Sequence, residues 1–179
     1  AMKDTFECGK NEGWKFDPAA DDAKKITGWG IDKTPDEPKP APGAKQCTLN
    51  FNNGKNYETK GAAASSAITK GSTTSKDVTV PKGGLLNYWS WQNVENFTGA
   101  SGPVDQRIVE VSTDNFATVG EKWLLDNSKG DSIWRLESHK LTKWEGKKIK
   151  IRFRFDSIDS IGNSGEGWFI DNLAVEAPK

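Results

Sequence analysis

KKIKIRFRFDS (residues 147–157), IDSIGNSGE (158–166) and GWFIDNLAV (167–175) decide the reading of this chain. In the first run Ile149, Ile151, Phe153 and Phe155 alternate with Lys148, Lys150, Arg152 and Arg154. A period of two marks a strand with one buried and one wet face. The second run breaks parity: Trp168 and Ile170 share a face, but the next large apolar residues are Leu173 and Val175. One inserted residue at Asp171-Asn172 restores both pairs to one side, so a β-bulge is expected there. A strand buried on both faces is the alternative. In either case the two runs form the centre of a β-sandwich.

Working outward, short apolar runs are separated by Gly, Pro and Asn. TFEC (5–8), GWKF (13–16), CTLNF (47–51), the stub at 78–81, QRIVEVS (106–112), 122–125 and 132–136 read as strands. LLNYWSW (85–91) carries aromatics on both parities and reads as a central strand covered on each side. Trp29 stands between glycines, a poor setting for a strand interior. The stretch 32–45 holds four prolines and reads as an extended surface loop. The stretch 61–75 is small and polar and reads as a loop. No sustained 3.6-residue stripe occurs, so the expected fold is all-β, one domain over residues 1–179, a sandwich or barrel.

The apolar fraction is 34 %, yet eight Trp and eight Phe supply large buried areas. Lys plus Arg equals Asp plus Glu at 25 each, so no net field favours nucleic acid or an anionic membrane. No apolar run approaches a membrane span. Ala1-Met2 reads as a remnant ahead of a mature or excised segment, with no signal peptide legible. Cys8 and Cys47, without a CxxC and with His139 as the single histidine, read as a disulfide rather than a zinc site. Such a closure is worth about 4 kcal/mol in the chain-entropy model and implies an oxidising compartment.

Chemistry is sparse. A Ser-His-Asp triad would need His139, with Ser138 adjacent and unable to face it, and no GxSxG elbow exists. No strand carries the alternating acids of a glycosidase pair. Calcium suits Glu7, Glu95, Asp105 and Asp171, which flank strands, but spacing alone equally allows isolated surface acids. Trp29, Trp89, Trp91, Trp144 and Tyr57 are aromatic candidates for stacking on sugar rings, and each also serves as core.

Val80-Pro81-Lys82-Gly83-Gly84 before LLNYWSW, then Glu95, Asp105, VEVSTD (109–114), Trp123-Leu124, LTKWEGKKIKIRFRFDS (141–157) and GEGWFIDNLAV (165–175) together resemble the MAM-like jelly-roll domains. These accompany secreted bacterial peptidases of the immune-inhibitor-A type and other cell-surface proteins. The resemblance implies a two-sheet antiparallel jelly roll, secreted or at the cell surface and non-catalytic. It would bind a glycan or a cell-surface protein, alongside neighbouring domains of a larger chain. It also implies a structural calcium on Glu95, Asp105 and Asp171, with Glu7 as a fourth ligand. Trp29, Tyr57, Trp91 and Trp144 are the ligand-binding candidates. The loops 32–45, 61–75, 93–104 and 157–166 are where recognition is expected. The peptidases' HExxH is absent, so hydrolysis does not carry over. A structural accessory role and a glycoside-active enzyme are the alternatives.

Overall fold

The computed structural model describes residues 1–18, 28–33, 40–44, 46–52, 54–58, 68–100 and 102–178. The alternating run is β13 (Lys148–Asp156), with Ile149, Ile151, Phe153 and Phe155 at most 1 % exposed. GWFIDNLAV lies in β14 (Gly167–Glu176). The two strands do not pair; each is central to its own sheet, and their apolar faces meet.

The first sheet contains β12 (Arg135–Lys140), β7 (Leu85–Asn93), β14, β4 (Thr48–Asn52) and β3 (Gly28–Asp32), in that spatial order. β1 (Met2–Asp4) pairs with β14 beyond the end of β4. The second contains β11 (Glu121–Leu124), β10 (Gln106–Ser112), β13, β5 (Lys70–Thr74) and β2 (Lys15–Asp17). β6 (Val78–Thr79) shares the β5 edge of β13. Ser75 fills the gap between them: its N–H donates to Ile151 O and its Oγ accepts from Ile151 N–H. β8 (Thr98–Gly99) and β9 (Gly102–Pro103) form a small hairpin. Every pairing is antiparallel, and the architecture is the expected two-sheet jelly-roll sandwich.

The bulge is where it was expected. The register of β14 against β7 shifts between Asp171 and Ala174, and Asn172 sits at φ 46°. Trp168, Ile170, Leu173 and Val175 all reach the core as a result. The bulge also marks a change of partner: β4 pairs with residues up to Ile170, β1 from Leu173 onward. The alternative holds too for the first half of the strand. Phe169 is fully buried on the opposite face, packed edge-on against Trp91 at 5.3 Å.

Phe153 is the aromatic hub of the core. Its ring lies 5.2 Å from Tyr88, 5.6 Å from Trp168, 5.9 Å from Trp14 and 6.4 Å from Trp29. Several expectations are corrected. The 5–8 stretch is not a strand; Phe6 turns at φ 45°, and the strand is Met2–Asp4, with Met2 itself buried. Trp29 lies inside β3 despite its glycine neighbours, because its ring fills the space between the sheets. Residues 70–74 are a strand; Thr73 is buried and a Cβ on Gly71 would press on the Phe51 ring. The Cys8–Cys47 disulfide is formed. Residues 34–39 and 45 of the 32–45 loop, and all of 61–67, lie outside the described residues. Within the former, Ala41 is buried and Pro42 O accepts from Asn172 Nδ2 at 3.0 Å.

Candidate functional site

At one end of the sandwich three connections converge: residues 54–58 after β4, residues 93–95 at the end of β7, and the β13–β14 loop. They enclose a cleft of about 510 Å³ lined by Lys55, Asn56, Tyr57, Asn93, Val94, Glu95, Gly162, Ser164, Gly165 and Glu166. Backbone bonds set the walls. Tyr57 N–H donates to Gly165 O at 3.2 Å, and Asn52 Nδ2 donates to Glu166 O. Two glycines are required here. A Cβ on Gly165 would collide with Asn93 O. Gly162 has φ 76°, and a Cβ there would strike the Glu95 carboxylate.

Beneath the cleft lies a buried acid. Asp105 is 0 % exposed and sits at φ 52°. Its Oδ2 accepts from Tyr57 Oη at 2.5 Å and from Glu95 N–H at 2.6 Å. Tyr57 Oη also lies 3.1 Å from Gly162 O, so the tyrosine joins the two loops. Burial pushes the Asp105 carboxyl up to about 7, against the lowering pull of the Tyr57 and Glu95 hydrogen bonds. Burial and the neighbouring Asp159 raise Glu95, and burial and Asp105 raise the Tyr57 phenol. The same end holds Arg107, buried over the Trp168 ring at 5.7 Å and bonded to Asn127 Oδ1 at 3.1 and 3.2 Å.

The expected metal set does not converge. Glu95 and Asp105 meet here, whereas Asp171 lies at the bulge, where it feels the charges of Asp4 and Glu7. Among the described residues no three His, Cys, Asp or Glu side chains are grouped as a metal set. The four acids therefore occupy two places, because the bulge and the cleft lie on different parts of the sheet. At the bulge, Asp171 Oδ1 accepts from Asn172 N–H at 2.7 Å, while Oδ2 is buried without a hydrogen-bond partner. Burial, helped by the charges of Asp4 and Glu7, raises Asp171 to about 7 against the lowering pull of the Asn172 N–H. An unsatisfied, buried carboxylate oxygen between acids fits a hard cation.

The aromatic platforms are corrected as well. Trp29 and Tyr57 are fully buried, and Trp91 and Trp144 are 6 % and 7 % exposed, so none of the four offers an open ring face. Trp29 Nε1 donates to Gly71 O at 3.1 Å, and Trp144 Nε1 donates to Glu121 Oε2 at 3.0 Å. Tyr57 does contribute to the site, as a wall residue with its hydroxyl turned inward. Of the five aromatics named in the sequence, Trp89 is the half-buried one, directly opposite exposed Leu136. Of the loops where recognition is expected, residues 93–95 of 93–104 and Gly162, Ser164, Gly165 and Glu166 of 157–166 line the cleft; Lys55 and Asn56, beside the named Tyr57, join them without having been singled out in the sequence. The sequence signal next to them is the Asn-Gly turn after CTLNF.

His139 is packed rather than poised. Its ring lies 4.6 Å from Trp123 and 5.8 Å from Tyr88, with Tyr88 Oη 3.0 Å from Nε2. Burial lowers its pKa from 6.5 to about 4. A folded pKa below the unfolded one contributes stability that is present above about pH 6.5 and lost as pH falls through about 4. His139→Gln should remove that loss. The wild-type advantage over the variant, read from urea unfolding, should shrink on the order of 2 kcal/mol between neutral and acid pH. An advantage equal at both would refute the assignment.

No protein-family model matches this sequence, and neither does any curated protein. Solved structures do resemble the fold. The K1 cleaved adhesin domain of Lys-gingipain from Porphyromonas gingivalis W83 superposes with a TM-score of 0.58 at 14 % identity, over 99 % of this chain and 98 % of that one. The module TmCBM61, solved with β-1,4-galactotriose, gives 0.55 at 16 % identity, over 97 % and 94 %. The Stig cyclase Fisc from Fischerella sp. TAU gives 0.51 at 15 % identity, over 98 % and 95 %. At these identities the likeness establishes the jelly-roll sandwich.

Proposed function

We propose that this chain is a non-catalytic glycan-binding module, and that the cleft between residues 54–58, 93–95 and 162–166 is its binding site. The observation that carries the reading is the cleft's make-up: a concave site of oligosaccharide size, rich in amide, hydroxyl, carboxylate and ammonium groups, on the loops of a rigid sandwich. Sugar hydroxyls are donors and acceptors, and Asn56, Asn93, Ser164, Glu166 and Lys55 match both roles. TmCBM61 was solved with β-1,4-galactotriose and K1 is an adhesin domain; both support this use of the fold. The Cys8–Cys47 bridge fits a secreted or cell-surface setting. A finer reading, an accessory domain of a secreted peptidase, draws support from K1, a cleaved adhesin domain of Lys-gingipain.

The test is a glycan array followed by calorimetry with Glu166→Ala and Asn93→Ala. Each should weaken binding about tenfold or more, the cost of a lost hydrogen bond to a charged or buried partner. A wild-type protein that captures no glycan, or variants that bind as well as wild type, would refute the reading. A second reading, a catalytic cleft, is favoured by Glu95 and Glu166 lining one groove and by the cyclase that shares the fold. Turnover of a glycoside panel abolished by Glu166→Gln would establish it.

For the calcium implied by the resemblance we propose Asp171 with Glu7 as ligands, where it would clamp β14 to the N-terminal segment. Chelator should lower the Tm of the wild type, and Asp171→Asn should shrink that drop. A Tm unmoved by chelator and by added calcium would refute it.

A further inference from the structure

We propose that the outer face of the second sheet docks a linear acidic polysaccharide, one carrying sulfate or uronate groups, apart from the cleft. The wet face of β13 has no part in the cleft. Lys148, Lys150, Arg152 and Arg154 stand on it in one row. Alternate residues of a strand lie about 7 Å apart, so the row is about 20 Å long.

The neighbouring strands widen it. Their register places Lys122 of β11, Lys70 of β5 and Lys15 of β2 on the same face. Among the described residues, the paired strands of this face carry these seven cations against three acids, Glu110, Asp17 and Asp156. The whole chain is balanced at 25 of each sign, so the excess is local.

The acids do not cancel the row. Glu110 is buried and shared by Arg152 and Arg154, at 2.6 and 3.4 Å. At the other end Asp77 is shared by Lys148 and Lys150, at 4.0 and 3.8 Å. One cation of each pair stays uncompensated. Asp114, in the turn after β10, is held by Ser112 and Thr118 of its own loop. Lys15, Lys70 and Lys122 are exposed and, among the described residues, in no ion pair. Arg154 Nε is buried without a hydrogen-bond partner.

The shape of the face favours a polymer. A hollow of about 300 Å³ lies at Lys148 and Lys150, lined also by Ser112 and Asn115. Another of about 350 Å³ lies at Arg154, Lys70 and Ser72. The side chains of Lys148 and Arg154, at the two ends of the row, are 68 % and 39 % exposed. A chain laid along β13 reaches both hollows, whereas a compact anion reaches one. Guanidinium groups grip sulfate or carboxylate through paired N–H donors, and ammonium groups act as point charges. Other polyanions fit less well. Stacking of nucleic-acid bases needs an open ring, and Phe116, against the row, is covered by the Arg152 guanidinium at 4.0 Å. A lipid surface needs apolar side chains to bury, and on these strands Leu124, at the edge, is the one exposed large hydrophobic among the described residues. The proposal does not rest on the cleft reading.

The test uses the full chain titrated calorimetrically with heparin and with polygalacturonate, which separate sulfate from carboxylate. At least one should bind, and its affinity should fall steadily as salt is raised. Lys70→Glu/Lys148→Glu, with one change at each end of the row, should weaken that binding at least tenfold. Lys3→Glu/Lys140→Glu makes the same change of net charge on the outer face of the first sheet and should leave it within about twofold. Both pairs are exposed, so both variants should fold. Failure to bind either polymer, or equal losses in the two variants, would overturn the proposal. So would duplex DNA or phosphatidylserine vesicles bound as tightly as the polysaccharide. Heparin or polygalacturonate held by this face, with no neutral glycan captured at the cleft, would sustain the docking surface and remove the cleft reading alone.

Discussion

Phe153→Ala is expected to cost about 3–5 kcal/mol of folding stability, the range for deleting a fully buried phenyl ring. The position explains the size. Phe153 is 0 % exposed and touches the rings of Trp14, Trp29, Tyr88 and Trp168. Those neighbours come from β3, β7, β14 and the N-terminal segment, so the ring joins both sheets. Each neighbour is itself held. Trp14 Nε1 donates to Asp4 Oδ2 at 2.7 Å, Trp168 Nε1 to Ser90 Oγ at 2.9 Å, and Trp29 Nε1 to Gly71 O. Anchored rings cannot collapse into the vacated space, which places the cost toward the upper end of the range. For a domain of this size the Tm should fall by about 10 °C. Phe97→Ala is the control: its ring is 57 % exposed and its loss should stay within about 0.5 kcal/mol. A Phe153→Ala loss below about 1 kcal/mol in urea unfolding would contradict the inward placement of the β13 apolar face.

The parity of β13 was legible because one face is buried and the other wet, so four apolar side chains had to alternate with four cations. The wet face then uses its charges: Arg152 and Arg154 both pair with Glu110, at 2.6 and 3.4 Å. The bulge was legible for the same reason, since four apolar residues of β14 could reach one core only by a shift. Strand β5 was not legible. Its residues, KGSTT, have low apolar content, and it is a strand because β13 and β2 hold it on both edges. The aromatics misled because composition does not say which face a ring takes. On β7, Tyr88 points into the core, while Trp91 finds cover from its cross-strand partner Phe169. Both rings are therefore buried, by different means. The cleft was legible only as loops. Asn52 and Glu166, which close one wall, are 114 positions apart, and no local pattern links them. The acids misled in the opposite direction. Similar flanking positions suggested one site, but β14's bulge carries Asp171 to the β1–β4 junction, away from Asp105.

That junction is where loss of the Cys8–Cys47 bridge should be felt. The double variant Cys8→Ser/Cys47→Ser is expected to lose about 4 kcal/mol, the chain-entropy value for a loop of this length. The sequence separation is 39, long enough for the open chain to gain much freedom. The loss should be local at first. β1 is three residues long and, among the described residues, pairs only with Leu173–Val175 of β14, at the edge left open where β4 ends. Cys8 follows β1 and Cys47 precedes β4, so the bridge joins two strands that share one edge of β14 without pairing with each other. Without it, β1 keeps its three-residue ladder, the buried Met2, and the Asp4 bonds to Trp14 Nε1 and Phe6 N–H. Amide exchange should therefore accelerate in β1 and at Leu173–Val175 before it changes in β10 or β13, which lie in the other sheet. The reduced wild type should match the double variant. Uniform acceleration in both sheets would show that the bridge acts on global unfolding rather than on the junction. No measurable loss of stability would show that β1 holds its place without it.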